Sequence, residues 1–166
     1  MRLALLSDIH GNPIALDAVL ADVEAEGGVD GYVVLGDLAA IGYDPVAVLE
    51  RVTALPGVRV TRGNTDRYVV TGDRPPIPPP PGKEIEVAVD GVRAVNLGSV
   101  SNPWAPDLRA GYVLLDAGAS GYQVLSRRVD YDRRAVIDAI AASHHPTPDF
   151  LTAWFRGERL APHQRS

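Results

Sequence analysis

Residues 2–13 read Arg-Leu-Ala-Leu-Leu-Ser-Asp-Ile-His-Gly-Asn-Pro. Leu3 to Leu6 is a short continuous apolar run, the pattern of a strand buried on both faces. It runs straight into Asp8 and His10. Asn12-Pro13 then read as a helix cap followed by a first-turn proline. Leu16, Val19, Leu20 and Val23 recur at helical spacing until Gly27-Gly28 stop the helix. The same grammar repeats downstream. Tyr32 to Leu35 is a second buried strand, and Asp44-Pro45 is a second cap with Val46, Leu49 and Val52 on one helix face. Val58 to Thr61 is a third strand. Residues 1–65 therefore predict β-α-β-α-β, with parallel strands joined by helical crossovers.

The second half is built differently. Ile85 to Val89, Val92 to Leu97, Tyr112 to Asp116 and Gly121 to Val129 read as strands. Asp90-Gly91 closes the first two into a hairpin, and Gly118 to Gly121 turns the last two. Asp130 is expected to cap a helix carrying Val136, Ile137 and Ile140. Thr147-Pro148 caps another with Phe150, Leu151, Trp154 and Phe155, stopped near Gly157. Between the halves, residues 73–82 read Asp-Arg-Pro-Pro-Ile-Pro-Pro-Pro-Pro-Gly, an extended connector. Residues 160–166 read as a loose tail.

At 166 residues the chain is one domain's worth, and 46% apolar with 22% charged residues is a globular balance. A net charge of −5 argues against a nucleic-acid binder. The absence of Cys removes disulfides, thiolate catalysis and Cys-ligated metal sites. No apolar run approaches the roughly 18 residues that span a membrane. The apolar start is too short for a signal peptide, so a cytoplasmic protein is expected.

The polar residues that need explaining sit just past the predicted strands. Asp8 and His10 follow the first, Asp37 the second and Asn64 the third, each with a neighbouring glycine. Ligands bind outside the carboxyl ends of parallel strands, so folding would gather these clusters. Two carboxylates, one imidazole and one amide oxygen suit Mn²⁺, Fe, Zn²⁺ or Ni²⁺. Asp8 and His10, two apart on an extended chain, point the same way and can grip one ion. Asp37 has two oxygens and can bridge two ions, with Asn64 on the second. Ions there would acidify a water and attract an anionic phosphate.

Asp8-x-His10, Gly36-Asp37 and Gly63-Asn64 resemble the opening motifs of the calcineurin-like metallophosphoesterase superfamily, nearest its small bacterial YfcE-like phosphoesterases. Val95-Asn96-Leu97-Gly98-Ser99-Val100 resembles a late strand of that family. The resemblance implies an α/β fold, a β-sandwich flanked by helices, here shortened. It implies hydrolysis of phosphomonoesters or phosphodiesters by attack of a metal-bound hydroxide. Asp8 and His10 would bind the first metal, Asp37 would bridge, and Asn64 would bind the second. Asn12 and Arg62 are candidates to orient the phosphate. Asp66 is a further candidate for catalysis, since Thr65 stands where some members carry a leaving-group histidine.

The family pattern continues with a Gly-His and a Gly-His-x-His motif, yet no histidine lies between Asn64 and Val95. An internal deletion accounts for this, with the proline-rich connector in its place. The alternative function is then a catalytically weak remnant that binds metal, phosphate or a partner. Nearer one ion than two is expected, with Mn²⁺ the first choice. A sheet edge exposed by the deletion predicts self-association. His144 and His145 are expected at a helix end away from the cluster. Arg127, Arg128, Arg133 and Arg134 alternate with Asp130 and Asp132, so a solvated mixed-charge face is expected there.

Overall fold

The computed structural model describes residues 1–72, 87–89 and 92–158. The expected connector at 73–82 and the expected tail at 160–166 lie outside these residues. The first half follows the predicted order: β1 (Arg2–Leu6), α1 (Pro13–Ala25), β2 (Gly31–Val34), α2 (Pro45–Ala54) and β3 (Arg59–Val60). Both expected caps form, because Asn12 and Asp44 side chains accept from Ala15 N and Ala47 N at 3.1 and 3.0 Å. They satisfy donors that the first helical turn cannot pair internally.

The second half contains α3 (Asn64–Thr71), β4 (Val87–Val89), β5 (Val92–Ala94), β6 (Ala110–Gly118), β7 (Gly121–Val129), α4 (Arg133–Ala142) and α5 (Pro148–Phe155). Sequence patterning missed α3. None of its residues is buried, and at eight residues it is too short for a sustained apolar period. The strand expected over 92–97 ends at Ala94. The cap of α4 is Asp132, two residues later than expected, with its carboxylate accepting from Ala135 N at 2.9 Å.

The described residues form a five-stranded sheet in the order β3-β2-β1-β6-β7 and a two-stranded sheet of β4 and β5. The pairs β1–β2 and β2–β3 are parallel, as βαβ crossovers require. β1 meets β6 antiparallel, so the central strand is where the sheet changes direction. The main core buries Leu6, Ile9, Leu16, Val19, Val23, Tyr112 and Leu114 completely or nearly so. Each such side chain contributes about 1.5–3 kcal/mol by leaving water. A second cluster, Val136, Ile140, Leu151 and Phe155, packs α4 and α5 together.

Arg127, Arg133 and Arg134, expected on a solvated mixed-charge face, are engaged by other groups. Arg127 grips the Asp22 carboxylate with two bonds of 3.1 and 3.0 Å and also meets Glu26. Arg134 pairs with Asp138 one turn away, and Arg133 donates to Phe155 O. Among the described residues, no helix is long and apolar enough to cross a membrane.

Candidate metal centre

The β1–β2 pairing does not stop where the strands do. Asp8 N donates to Gly36 O at 3.2 Å, His10 N to Asp37 O at 2.9 Å and Gly11 N to Leu38 O at 2.7 Å. Two loops therefore leave the sheet in lockstep, and they carry the predicted residues. Asp8, His10 and Asp37 have φ of 56°, 47° and 57°, a left-handed backbone that non-glycine residues avoid. Three such residues at one spot store strain that the surrounding bonds must hold, and strain of this kind concentrates at functional sites.

Two glycines explain how a third strand end comes this close. Gly36 has φ 94°, and a Cβ there would run into the backbone of Gly63. A Cβ on Gly63 would in turn overlap the Asp37 carboxylate. Gly63 is the N-cap of α3, so the start of that helix lies directly against Asp37. From the other side, Val100 N donates to Ser7 O at 3.1 Å, and Ser101 N to Asp8 O at 3.0 Å. The segment read as a late family motif thus ends against Asp8.

One donor atom each from Asp8, His10 and Asp37 lies within 4.8 Å of the others. Neighbouring ligands on one ion lie about 3–4 Å apart, so an inward movement of the side chains would fit this group to a single cation. Each side chain is also held from behind. Asp8 Oδ2 accepts from Ser7 Oγ at 2.5 Å, and its Oδ1 lies 3.5 Å from His10 Nε2. His10 Nδ1 meets Ala40 O at 3.1 Å. A carbonyl only accepts, so Nδ1 carries the proton and Nε2 is the atom turned to the cluster. Asp37 Oδ1 accepts from Thr65 N at 2.9 Å and Thr65 Oγ1 at 2.7 Å. Oriented ligands of this sort are how proteins set up metal sites. Burial works against the charge of Asp8. The adjacent His10 ring and the bond from Ser7 outweigh it and hold the carboxyl below its usual range. His10 is buried, while Asp8 and Asp37 are half-buried, so the group has a wall and an opening.

The other predicted site residues fall in three kinds of place. Asn64 and Arg62 are exposed beside Gly63, with Asn64 opening α3. Asn12 is buried at 1% exposure. Its amide caps α1, accepts from Tyr43 Oη at 3.3 Å and donates to Ser101 Oγ at 3.1 Å. Asp66 Oδ2 accepts from Asp37 N at 2.7 Å and Gly63 N at 3.0 Å, and Oδ1 from Leu38 N and Ala39 N at 2.8 and 3.2 Å. Sequence reading offered Asn12 for the phosphate and Asp66 for catalysis. Their polar atoms here bind the backbone and side chains that frame the ligands. His145 Nδ1 accepts from Thr147 N at 3.1 Å, and the only candidate metal group among the described residues contains neither it nor His144. Sequence reasoning missed Ser7, Ala40 and Thr65 as supports. Only Thr65 was within reach, through its place after Gly63-Asn64.

A family model described as calcineurin-like phosphoesterase matches residues 1–165. The chain belongs to this family. Two solved structures share its fold at 18% identity, each covering 95% of this chain and 99% of its own. They are a metallophosphoesterase from Sphaerobacter thermophilus, TM-score 0.70, and the hypothetical protein PH1004 from Pyrococcus horikoshii OT3, TM-score 0.74. The phosphoesterase YfcE from E. coli aligns over 78% of this chain and 100% of its own, at 23% identity and TM-score 0.47. No curated protein matches the chain. For a calcineurin-like phosphoesterase the Asp8–His10–Asp37 group is the expected place for a divalent metal, and its donor set fits one.

Proposed function

We propose that this protein is a metal-dependent hydrolase of small phosphomonoesters or phosphodiesters, with one divalent ion, Mn²⁺ first among candidates, held by Asp8, His10 and Asp37. One observation carries the reading. Three residues from two strand ends share a strained left-handed backbone, each is held by a hydrogen bond, and each offers a donor atom to the same small volume. An arrangement kept at that cost is built to hold something cationic.

A divalent ion in this place supplies Lewis acidity toward phosphoryl oxygens and makes an attacking water more acidic. The chain's own residues do the rest. His10 keeps its proton on Nδ1 against Ala40 O, so Nε2 offers a lone pair. Asp8 and Asp37 bring charges of the sign that a cation requires. Arg62 and Asn64, exposed beside Gly63, would meet the anionic ester and orient it. Asn12 and Asp66 hold the frame. Catalysis is expected to fall far below that of members with the Gly-His and Gly-His-x-His motifs, because no histidine stands between Asn64 and Val95 to complete a second ion. That absence also favours a second reading, a binding module that keeps metal and phosphate affinity without useful turnover.

Calorimetric titration with Mn²⁺, paired with hydrolysis of p-nitrophenyl phosphate and bis-p-nitrophenyl phosphate, tests both. The proposal expects about one ion per chain, weaker binding in Asp37→Asn, and slow Mn²⁺-dependent turnover lost in His10→Ala. One bound ion without turnover on either ester would leave the binding module. Absence of Mn²⁺ binding would sink both.

A further inference from the structure

Thr65 directs both of its donors to a single atom. Its N–H and its hydroxyl reach Asp37 Oδ1 at 2.9 and 2.7 Å, and among the described residues Asp37 Oδ2 accepts no hydrogen bond. Two donors occupy both lone pairs of Oδ1. The carboxylate cannot rotate without breaking both bonds, and Gly63 packs so closely that a Cβ there would overlap Oδ1. We propose that Thr65 is a positioning residue. It takes Oδ1 out of coordination, forbids Asp37 to chelate through both oxygens, and presents Oδ2 alone to the ion.

The inference rests on the metal-site reading above but adds something separate from it. A free carboxylate beside a cation can bind through one oxygen or two, and the choice alters coordination number and geometry. Here the choice is made before any ion arrives, by a hydroxyl on the first turn of α3. The main-chain N–H remains whatever residue stands at 65. The hydroxyl is therefore what the side chain adds. A serine would retain it, whereas a valine of nearly the same shape would not. Groups that bond to a metal ligand from behind are worth roughly 10–100-fold in metal affinity. Thr65 acts on one ligand of three and leaves one of its two bonds in place, so the low end of that range applies.

The experiment uses the full chain with Co²⁺, whose visible absorption reports ligand number and geometry. Wild type, Thr65→Val and Thr65→Ser are titrated with Co²⁺, and apo-protein stability is measured alongside. The expected result is about tenfold weaker Co²⁺ binding and an altered visible band in Thr65→Val, with both restored in Thr65→Ser. A purely structural hydroxyl would lower the apo-protein melting temperature in Thr65→Val and leave affinity and spectrum unchanged, and that result overturns the inference. So does a serine variant that behaves like valine. Wild type that binds no Co²⁺ or Mn²⁺ removes the metal-site reading together with this one. Normal wild-type binding with an indistinguishable valine variant removes only the role of Thr65. If the valine variant does not fold, Thr65→Ala replaces it with the same expectations.

Discussion

Replacing Asp66 by alanine should cost more stability than any other single truncation on this surface. Its two oxygens accept four backbone N–H groups, from Asp37, Gly63, Leu38 and Ala39, at 2.7, 3.0, 2.8 and 3.2 Å. Bonds to a charged group are worth about 1.5–3 kcal/mol each, so simple addition gives ~6–12 kcal/mol. Bonds sharing one carboxylate are not additive, and water reaches donors that are only partly buried. About half the sum, ~3–6 kcal/mol, is the expected loss. For a domain of this size that lowers Tm by about 9–18 °C. It also takes a large part of a total stability of roughly 5–15 kcal/mol. Asp66→Asn is the probe that conserves shape. It keeps one acceptor oxygen and turns an NH₂ against two N–H groups, so it should lose a similar fraction. Guanidinium unfolding followed by circular dichroism gives the numbers, and Co²⁺ titration shows whether Asp37 has moved. A variant within about 1 kcal/mol of wild type would refute the scaffold assignment. If turnover alone were lost, Asp66 would be a chemical participant.

Three further outcomes follow from the same geometry. Gly36→Ala places a Cβ at φ 94° against the Gly63 backbone and should lose more than about 3 kcal/mol or fail to fold, as read by soluble yield and denaturant midpoint. The Asp22 carboxyl is held below its usual range, first by Arg127 and then by Tyr112, against partial burial. Its folded-state pKa is thus lower than its unfolded one. The stabilisation is full above about pH 4–5 and is lost as pH falls through the folded value. Asp22→Asn should cost ~1–2 kcal/mol at pH 7 and flatten that acid limb in urea titrations. Val46, Val60, Val69 and Val70 are exposed on α2, the edge strand β3 and α3. Light scattering over a concentration series should therefore show self-association that Val69→Ser with Val70→Ser reduces, and a constant monomer mass would count against it.

The first half of the fold was legible because its signals are local. Leu3–Leu6 and Tyr32–Val34 are apolar runs, and Asn12-Pro13 and Asp44-Pro45 mark helix starts that need no partner from elsewhere. The gathering of Asp8, His10 and Asp37 was legible for a related reason: strand ends converge once the crossovers are parallel. α3 was not legible, since an exposed helix of eight residues buries no face that would mark it. The placing of Asp66 was not legible either. Three of its four donors lie at residues 37–39, and nothing in the local sequence says that a carboxylate beside a ligand motif faces backbone rather than substrate.

Why a site without the Gly-His and Gly-His-x-His motifs should keep this geometry follows from where its supports come from. Among the described residues, the bonds that hold Asp8, His10 and Asp37 arise from residues 7–11, 36–40, 63–66 and 99–101. The first three stretches are the ends of β1, β2 and β3, and the fourth binds the backbone of Ser7 and Asp8. Strand pairing in the main sheet sets their relative positions, and that pairing is driven by burial of Leu6, Val34 and Tyr112 rather than by metal. Further histidines would add ligands without being needed to orient these three. A metal-free chain should therefore hold the triad in place, and metal binding should stabilise it by mass action without ordering it. Equal far-UV circular dichroism with and without Mn²⁺, together with a Tm that rises with Mn²⁺ concentration, is the expected signature. A large gain of secondary structure on adding Mn²⁺ would show that the frame depends on the ion after all.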